Sequence, residues 1–526
     1  MLEQPTTRQS IARSTAIISS GTMLSRVLGL ARDMVIAHLY PKVVSDAFFV
    51  AFRLPNMLRE MLAEGAMNAG FIPVYSDYLT TRTRKQADEL AAVTIGAMAA
   101  FLTVVSALGV IFAPAIVRFI TLEFGPPSDK LLLAIHLTRV LFPYILLIGI
   151  ASLLMAVLNS LNQFFPSAYA PALLNLSMIG CAYTLSGFFE DPIFALAVGV
   201  LVGGALQILL QIPFLGKKHF PLRIAWNIRH PGLSRIFLLL LPTFFGQAVR
   251  EVNIIVDTML AWYLGVGMVS ALYYAYRLIH LPLAVFGLSI ATAILPAMSR
   301  HSSAGKIDKL KDTLSLGLRS VFFVMVPATV GLIVLRTPII RLLFEHGSFD
   351  STATENTAFA LLFYSLGLFA FAGAKVLAFA FYAMKETRLP VIVATVAMVS
   401  NVIFNVILMI PLKQGGLALA SSLSSTINMV VLWVYLEKRI GAIGLRTIAV
   451  ATGKICGLSL MMGVCVYALA ALCARLTGTE TLWGRILHVF IPLSAGTVLY
   501  IGAALVLRLE EAAQLLSLWT RRRSTS

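Results

Sequence analysis

The chain has 526 residues, of which 59% are hydrophobic and only 12% charged, with a formal net charge of +17. That balance excludes an ordinary soluble domain and marks an integral membrane protein. The positive excess invites a nucleic-acid partner, but Lys and Arg concentrated on the cytoplasmic side of a polytopic chain explain it, and no nucleic acid is expected.

In chain order, apolar segments of membrane-spanning length, about 20 residues, fall near 11–40, 45–76, 88–117, 131–158, 165–187, 192–215, 235–263, 268–298, 312–335, 354–384, 389–411, 416–436, 447–474 and 484–507. These fourteen segments predict an all-α polytopic fold with 14 transmembrane helices. The first follows a polar start with Arg8 and Arg13 and runs into Arg26 without a small-residue cleavage site, so it reads as a retained span. Pro55, Pro73, Pro143 and Pro282 lie inside apolar stretches and are candidate kinks. The four cysteines stand singly in apolar segments without CxxC spacing, which predicts buried free thiols and no metal site or disulfide framework.

Basic residues set the orientation. Loops after even-numbered spans carry Arg82, Arg84 and Lys85; Lys217, Lys218, Arg223, Arg229 and Arg235; Arg300, Lys306, Lys309 and Lys311; Lys385 and Arg388; Lys438, Arg439 and Arg446. Loops after odd-numbered spans, such as those with Lys42 or Lys130, carry far fewer. The basic side is cytoplasmic, so both termini are expected inside, and the tail Arg521, Arg522 and Arg523 agrees. The linker after the sixth span mixes bases with Phe220 and Trp226 and is expected to lie against anionic headgroups.

Sliding the chain against itself gives one productive offset, which lays Arg26 on Arg250, Asp33 on Asp257, Arg53 on Arg277, Pro114 on Pro338 and Pro166 on Pro390. Locally, AFFVAFRL returns as ALYYAYRL. Leu and Ala coincide by chance in apolar chains, whereas Arg, Asp and Pro at one offset do not. The repeat covers six spans, so the halves share one orientation: two parallel six-helix lobes related by a pseudo-two-fold along the membrane normal, with substrate expected at their interface. The predicted division is 1–215 (first lobe), 216–234 (cytoplasmic linker), 235–440 (second lobe) and 441–526 (two further helices and a basic tail).

The chemistry concentrates in residues 26–73. A central Arg or Asp in lipid costs about 2.5–3.5 kcal/mol on insertion scales, so these charges must face one another or water. Arg26 and Asp33 are seven residues apart and share a helical face, and Arg250 and Asp257 repeat the arrangement. Arg53, Asn56, Glu60 and Glu64 form a stripe whose counterparts, Arg277, His280, Ala284 and Leu288, lack the acids. Two readings stay open: interhelical ion pairs that hold spans together, or a cationic vestibule for an anion. Guanidinium forks suit phosphate oxygens bidentately, so phosphate or pyrophosphate is the expected ligand of the second reading. A weaker cluster, Asp257, Asn401, Asn405 and Ser421, offers oxygens to a hard cation such as sodium, though Asn and Ser also bond ordinary membrane helices together. No HExxH or phosphate-loop motif occurs, so catalysis is not expected and no cofactor beyond sodium is implied.

SRVLGLARD (25–33), SDAFFVAFRLPNMLRE (45–60), EGAMNAGFIP (64–73) and LYYAYRL (272–278) closely resemble the MurJ/MviN lipid II flippases, members of the multidrug/oligosaccharidyl-lipid/polysaccharide exporter superfamily. The likeness extends over nearly the whole chain. It implies alternating access by two six-helix lobes around a cationic cavity lined by Arg26, Arg32, Asp33, Asp46, Arg53, Arg59 and Arg277. It also implies a groove on the last two helices for an undecaprenyl tail, and sodium at Asp257, Asn401, Asn405 and Ser421. Tyr276, Glu60 and Asn405 depart from residues that some members carry there. The expected function is translocation of lipid II, the undecaprenyl-pyrophosphate-linked disaccharide-pentapeptide, across the bacterial inner membrane by a monomer. The alternatives are export of another lipid-linked oligosaccharide or a drug on the same fold, a membrane-embedded transferase, and a scaffold for wall-synthesis enzymes.

Overall fold

The computed structural model describes residues 7–227 and 229–512; within these, the side chains of 7–15, 62–66, 68, 242, 243 and 245–250 are not described. Arg8, Arg13, Glu64, Arg250 and the tail arginines therefore lie outside the described side chains. The described chain is helical throughout, and no strand occurs among the described residues. Contacts divide it into two compact units, Met1–Val266 and Gly267–Ser526.

The first unit holds α1 (Thr7–Leu39), α2 (Lys42–Arg59), a π-helical run (Glu60–Phe71), α3 (Ile72–Thr81), α4 (Arg84–Ile111), α5 (Ala113–Thr121), α6 (Asp129–Leu141), α7 (Tyr144–Ser160), α8 (Phe165–Thr184), α9 (Ile193–Lys217) and α10 (Pro231–Tyr263). Local chemistry sets several boundaries. Thr83 and Gln86 form a reciprocal capping box at the start of α4, and the Ser128 hydroxyl caps α6. Pro231 occupies the first turn of α10, where its missing N–H is no loss. One core joins Phe71, Tyr75, Leu90, Leu153, Val157, Leu215, Phe220 and Ile236, so the linker and the start of α10 are packed into the same unit as α3, α4 and α7. The linker runs close along α4: the Ala225 amide donates to the Ala92 carbonyl. A Cβ at Gly96 would collide with the Ala225 carbonyl, so that approach requires glycine.

The second unit holds α11 (Met268–Pro282), a short π-helical run (Leu283–Gly287), α12 (Leu288–Ser303), α13 (Ile307–Leu343), α14 (Ser351–Leu366), α15 (Leu368–Ala383), α16 (Arg388–Ile440), α17 (Leu445–Thr477) and α18 (Leu482–Val506). α16 is two helices in sequence, broken at Lys413, whose φ of 46° and ψ of −127° are not helical. The break folds the chain so tightly that a Cβ on Gly416 would meet the Leu408 carbonyl. α13 is central: α12, α14, α15, α17 and α18 all pack on it. The last two helices are fastened to it at three depths. Arg319 bonds Glu511 at 2.8 Å, the Tyr500 hydroxyl donates to the Phe323 carbonyl at 2.8 Å, and Arg485 donates to the Glu345 carbonyl at 2.7 Å.

Each of the fourteen apolar segments coincides with a helix or a broken helix. Among the described residues eight helical stretches, with α6–α7 and α11–α12 each counted as one, are long and apolar enough to cross a membrane, nine if the bent pair α14–α15 is one span. α1, α2 and α10 are not among the eight, and these are the helices that carry Arg26, Arg32, Asp33, Asp46, Arg53, Arg59 and Glu251. α16, counted once, contains two of the apolar segments.

Candidate functional site

The charges of residues 26–60 are positioned by α1 and α2. On α1, Asp33 is fully buried and Arg32 nearly so. The spacing of Arg26 and Asp33 suggested that these two share a task, but Asp33 is held by its neighbour. Arg32 Nη2 and Nε donate to Asp33 Oδ1 at 2.6 and 3.0 Å. Arg32 Nη1 donates to Asn175 Oδ1 on α8 at 3.1 Å, and Asn175 returns a bond to the Ser25 carbonyl at 3.1 Å. Arg26 is half-buried one face along, with no ion pair among the described residues.

α2 distributes its charges to three neighbours. Asp46 is fully buried and accepts from Lys130 Nζ of α6 at 2.8 Å. The same ammonium sits 3.8 Å above the Trp262 ring at the end of α10, and Trp262 Nε1 donates to Glu123 at 3.2 Å. One turn group further in, Arg53 Nη2 lies 3.5 Å from Glu251 Oε2 of α10, a carboxylate only 2% exposed. Arg59, Asn56 and Glu60 form a local set. Arg59 Nε donates to Asn56 Oδ1 at 3.0 Å, Asn56 Nδ2 to Glu60 Oε1 at 3.0 Å, and Arg59 stands 3.5 Å from Glu60. Near the start of α10, Arg235 pairs with Asp77 of α3 at 2.7 Å. α10 is thus held to the first unit by polar contacts at both ends and in the middle, although the repeat pairs it with α1.

Arg277 belongs to the second unit, on α11, where its guanidinium carbon is 5.8 Å from the Tyr273 ring centroid and Nη2 is 3.5 Å from the Tyr273 hydroxyl. In the same unit Asn401, Asn405 and Ser421 come together as the sequence suggested, fully or almost fully buried. Asn401 Nδ2 donates to Ser421 Oγ at 3.3 Å, and Asn405 Nδ2 to Asn401 Oδ1 at 2.8 Å. Asp257 is half-buried on α10 of the first unit. Among the described residues no group of three or more His, Cys, Asp or Glu could hold a metal ion.

Two participants escaped the sequence reading. Lys130 was counted as a loop charge, yet it neutralises Asp46. Glu251 drew no attention beside the repeated Arg250, yet it faces Arg53. For Glu251 the signal was available, because an acid deep in the apolar stretch 235–263 is costly in lipid and must have a cation near it. With these two included, the cluster in the first unit is close to balanced. Its arginines are held in place by carboxylates, and Arg26 carries the surplus. Such an arrangement can bind an anion by exchanging a carboxylate for a phosphate on a guanidinium fork, at sites already positioned by packing.

A family model described as lipid II flippase MurJ matches residues 36–486. A probable lipid II flippase MurJ of Vibrio cholerae is 38% identical over 436 residues, covering 81% of this chain and 83% of the relative. The lipid II flippase MurJ of Burkholderia cenocepacia is 33% identical over 435 residues, covering 82% and 84%. Among solved structures, a lipid II flippase MurJ in an inward closed conformation superposes with a TM-score of 0.78 at 27% identity, covering 94% of this chain and 99% of that one. An inward-facing multidrug resistance MATE transporter gives 0.68 at 18% identity, covering 81% and 98%, which is a likeness of fold alone. The family model spans most of the sequence and the relatives match over most of their own length, so this chain belongs to the MurJ family of lipid II flippases.

Proposed function

We propose that this chain flips lipid II from the cytoplasmic to the outer leaflet of the bacterial inner membrane by alternating access, with no covalent step. The observation that carries the reading is a set of guanidinium groups inside membrane helices of a MurJ-family chain, with Arg26 left over after the acids are paired. In the cycle we favour, Arg26, Arg32, Arg53 and Arg59 of the first unit bind the pyrophosphate, and Arg277 is the phosphate ligand that the second unit supplies. Asp33 and Asp46 hold the arginine-bearing helices in register and keep the empty site near neutral. Each negative charge that moves outward is favoured by about 2.3 kcal/mol per 100 mV of inside-negative potential, so the potential supplies a drive without a nucleotide site.

The same proposal has fourteen spans in two six-span repeats plus α17 and α18, both termini in the cytoplasm, and the undecaprenyl tail along α17–α18. The coincidence of the fourteen apolar segments with helices, the parallel repeat and the basic loops support it. Within the second unit, Asn401, Asn405 and Ser421 offer amide and hydroxyl oxygens that suit a hard cation such as sodium. Asn401, Asn405 and Ser421 now bond one another, so those bonds would have to open, and the cycle takes no step from the ion.

The test is complementation of a flippase-depleted bacterial strain, scored by accessibility of lipid II outside. Arg26→Ala removes no described ion pair and should insert normally yet fail to rescue. Full rescue by Arg26→Ala together with Arg277→Ala would refute pyrophosphate capture by these arginines.

A further inference from the structure

The second unit carries an aromatic surface that phosphate capture leaves unused. Tyr273, Tyr276, Arg277 and His280 fall at i, i+3, i+4 and i+7 of α11, so one face presents all four. A guanidinium in hydrocarbon costs about 2.5–3.5 kcal/mol, so the face bearing Arg277 does not look onto lipid. On that face Tyr276 keeps 37% of its surface open. Its ring lies 4.2 Å from the His280 ring, centroid to centroid, at 52°. Tyr364 of α14, itself buried, braces it from the side at 5.7 Å and 62°. Tyr276 is therefore an aromatic ring steadied by two neighbours, with accessible surface remaining, next in sequence to a cation.

A ligand complementary to that arrangement has an apolar face beside an anion. A pyranose ring linked to a diphosphate has both. The axial C–H bonds on a face of the ring carry partial positive charge and meet the negative face of an aromatic ring. Hydroxyls around its rim can bond the His280 imidazole. We propose that Tyr276, steadied by His280 and Tyr364, is the stacking platform for the pyranose next to the diphosphate of the transported lipid, and so a specificity-determining residue. The proposal rests on the flippase reading and refines it: Arg277 reads the phosphate and Tyr276 reads the sugar.

The test uses the purified full chain in lipid nanodiscs and two probes, lipid II and undecaprenyl pyrophosphate, which has no sugar. Tyr276→Ala should weaken lipid II binding about tenfold, the scale of one aromatic contact, and leave undecaprenyl pyrophosphate binding unchanged. Tyr276→Phe, which keeps the ring, should bind both like the wild type. Arg277→Ala should weaken both. Retained binding of undecaprenyl pyrophosphate serves as the folding control for Tyr276→Ala. If that variant does not fold, Tyr276→Leu, apolar and of closer volume but without a ring, should show the same selective loss. Equal loss of both probes in the Ala and Leu variants, or a Phe variant as weak as Ala, overturns the platform. A wild type that binds neither probe overturns the flippase reading itself, and the platform with it.

Discussion

Lys130→Met should be one of the most damaging single substitutions in the first unit. The ammonium is 2.8 Å from the fully buried Asp46 carboxylate and 3.8 Å above the Trp262 ring. Met keeps most of the apolar stem but removes the charge, so Asp46 is left as a buried anion without its lysine. Breaking a buried pair from one side typically destabilises by about 3–5 kcal/mol, and the lost cation–π contact adds about 0.5–2 kcal/mol. Against a total of about 5–15 kcal/mol for a folded protein, that is a large share. Removing both charges, Lys130→Met with Asp46→Leu, leaves no stranded anion and should return most of the loss, since replacing a buried pair by apolar groups is often neutral or better. The measurement is a double-mutant cycle on purified protein in detergent, following thermal unfolding by tryptophan fluorescence. A single variant within about 1 kcal/mol of the wild type, the range of an exposed pair, would refute the argument. So would a double variant no more stable than the single one. The cycle also separates two roles for Asp46, because a stable double variant that still flips lipid II would remove Asp46 from the ligand set.

Further outcomes follow from other contacts. Arg53→Ala removes the Arg53–Glu251 ion pair and should loosen the middle of α10, seen as faster amide hydrogen exchange around 251–257; Arg53→Lys should restore part of the protection. Gly416→Ala should destabilise by about 1–3 kcal/mol, because its Cβ meets the Leu408 carbonyl at the break in α16. Gly457→Ala, in open space on α17, should be neutral or stabilise by about 0.5–1 kcal/mol through helix propensity, and thermal melts of the two compare them directly. Arg485→Ala removes donors to the Glu345 and Arg341 carbonyls and should free the end of α17 and the start of α18, measured as easier proteolysis near 478–484 with α13 still protected.

The spans were legible because lipid punishes any departure from helix, so apolar runs and helices coincide from α1 to α18. The partners of the charges were far less legible. Arg32 and Asp33 are adjacent, and neighbours on a helix ordinarily point apart, so spacing favoured Arg26 with Asp33; only the long, flexible guanidinium curling back makes the observed pair. Lys130 with Asp46 and Arg53 with Glu251 join distant segments, which no periodicity encodes. The clustering of Asn401, Asn405 and Ser421 was readable because one helical turn and one short hairpin fix it. Of the two π-helical runs, the one after Pro282 falls where that proline marked a candidate kink, whereas the one after Arg59 had no such signal.

Those two runs have a consequence of their own. The internal duplication lays Leu283 on Arg59 and Val285 on Met61, so the widened turn recurs at the same place in both copies. A widened turn holds a surplus residue; relaxing it to ordinary winding would advance everything beyond it by one position, about 1.5 Å along the axis and a little over a quarter of a revolution. Each unit thus carries a slack stretch beyond the arginine that the offset aligns, twelve residues long after Arg59 and five after Pro282, a means of turning one helix end relative to the other.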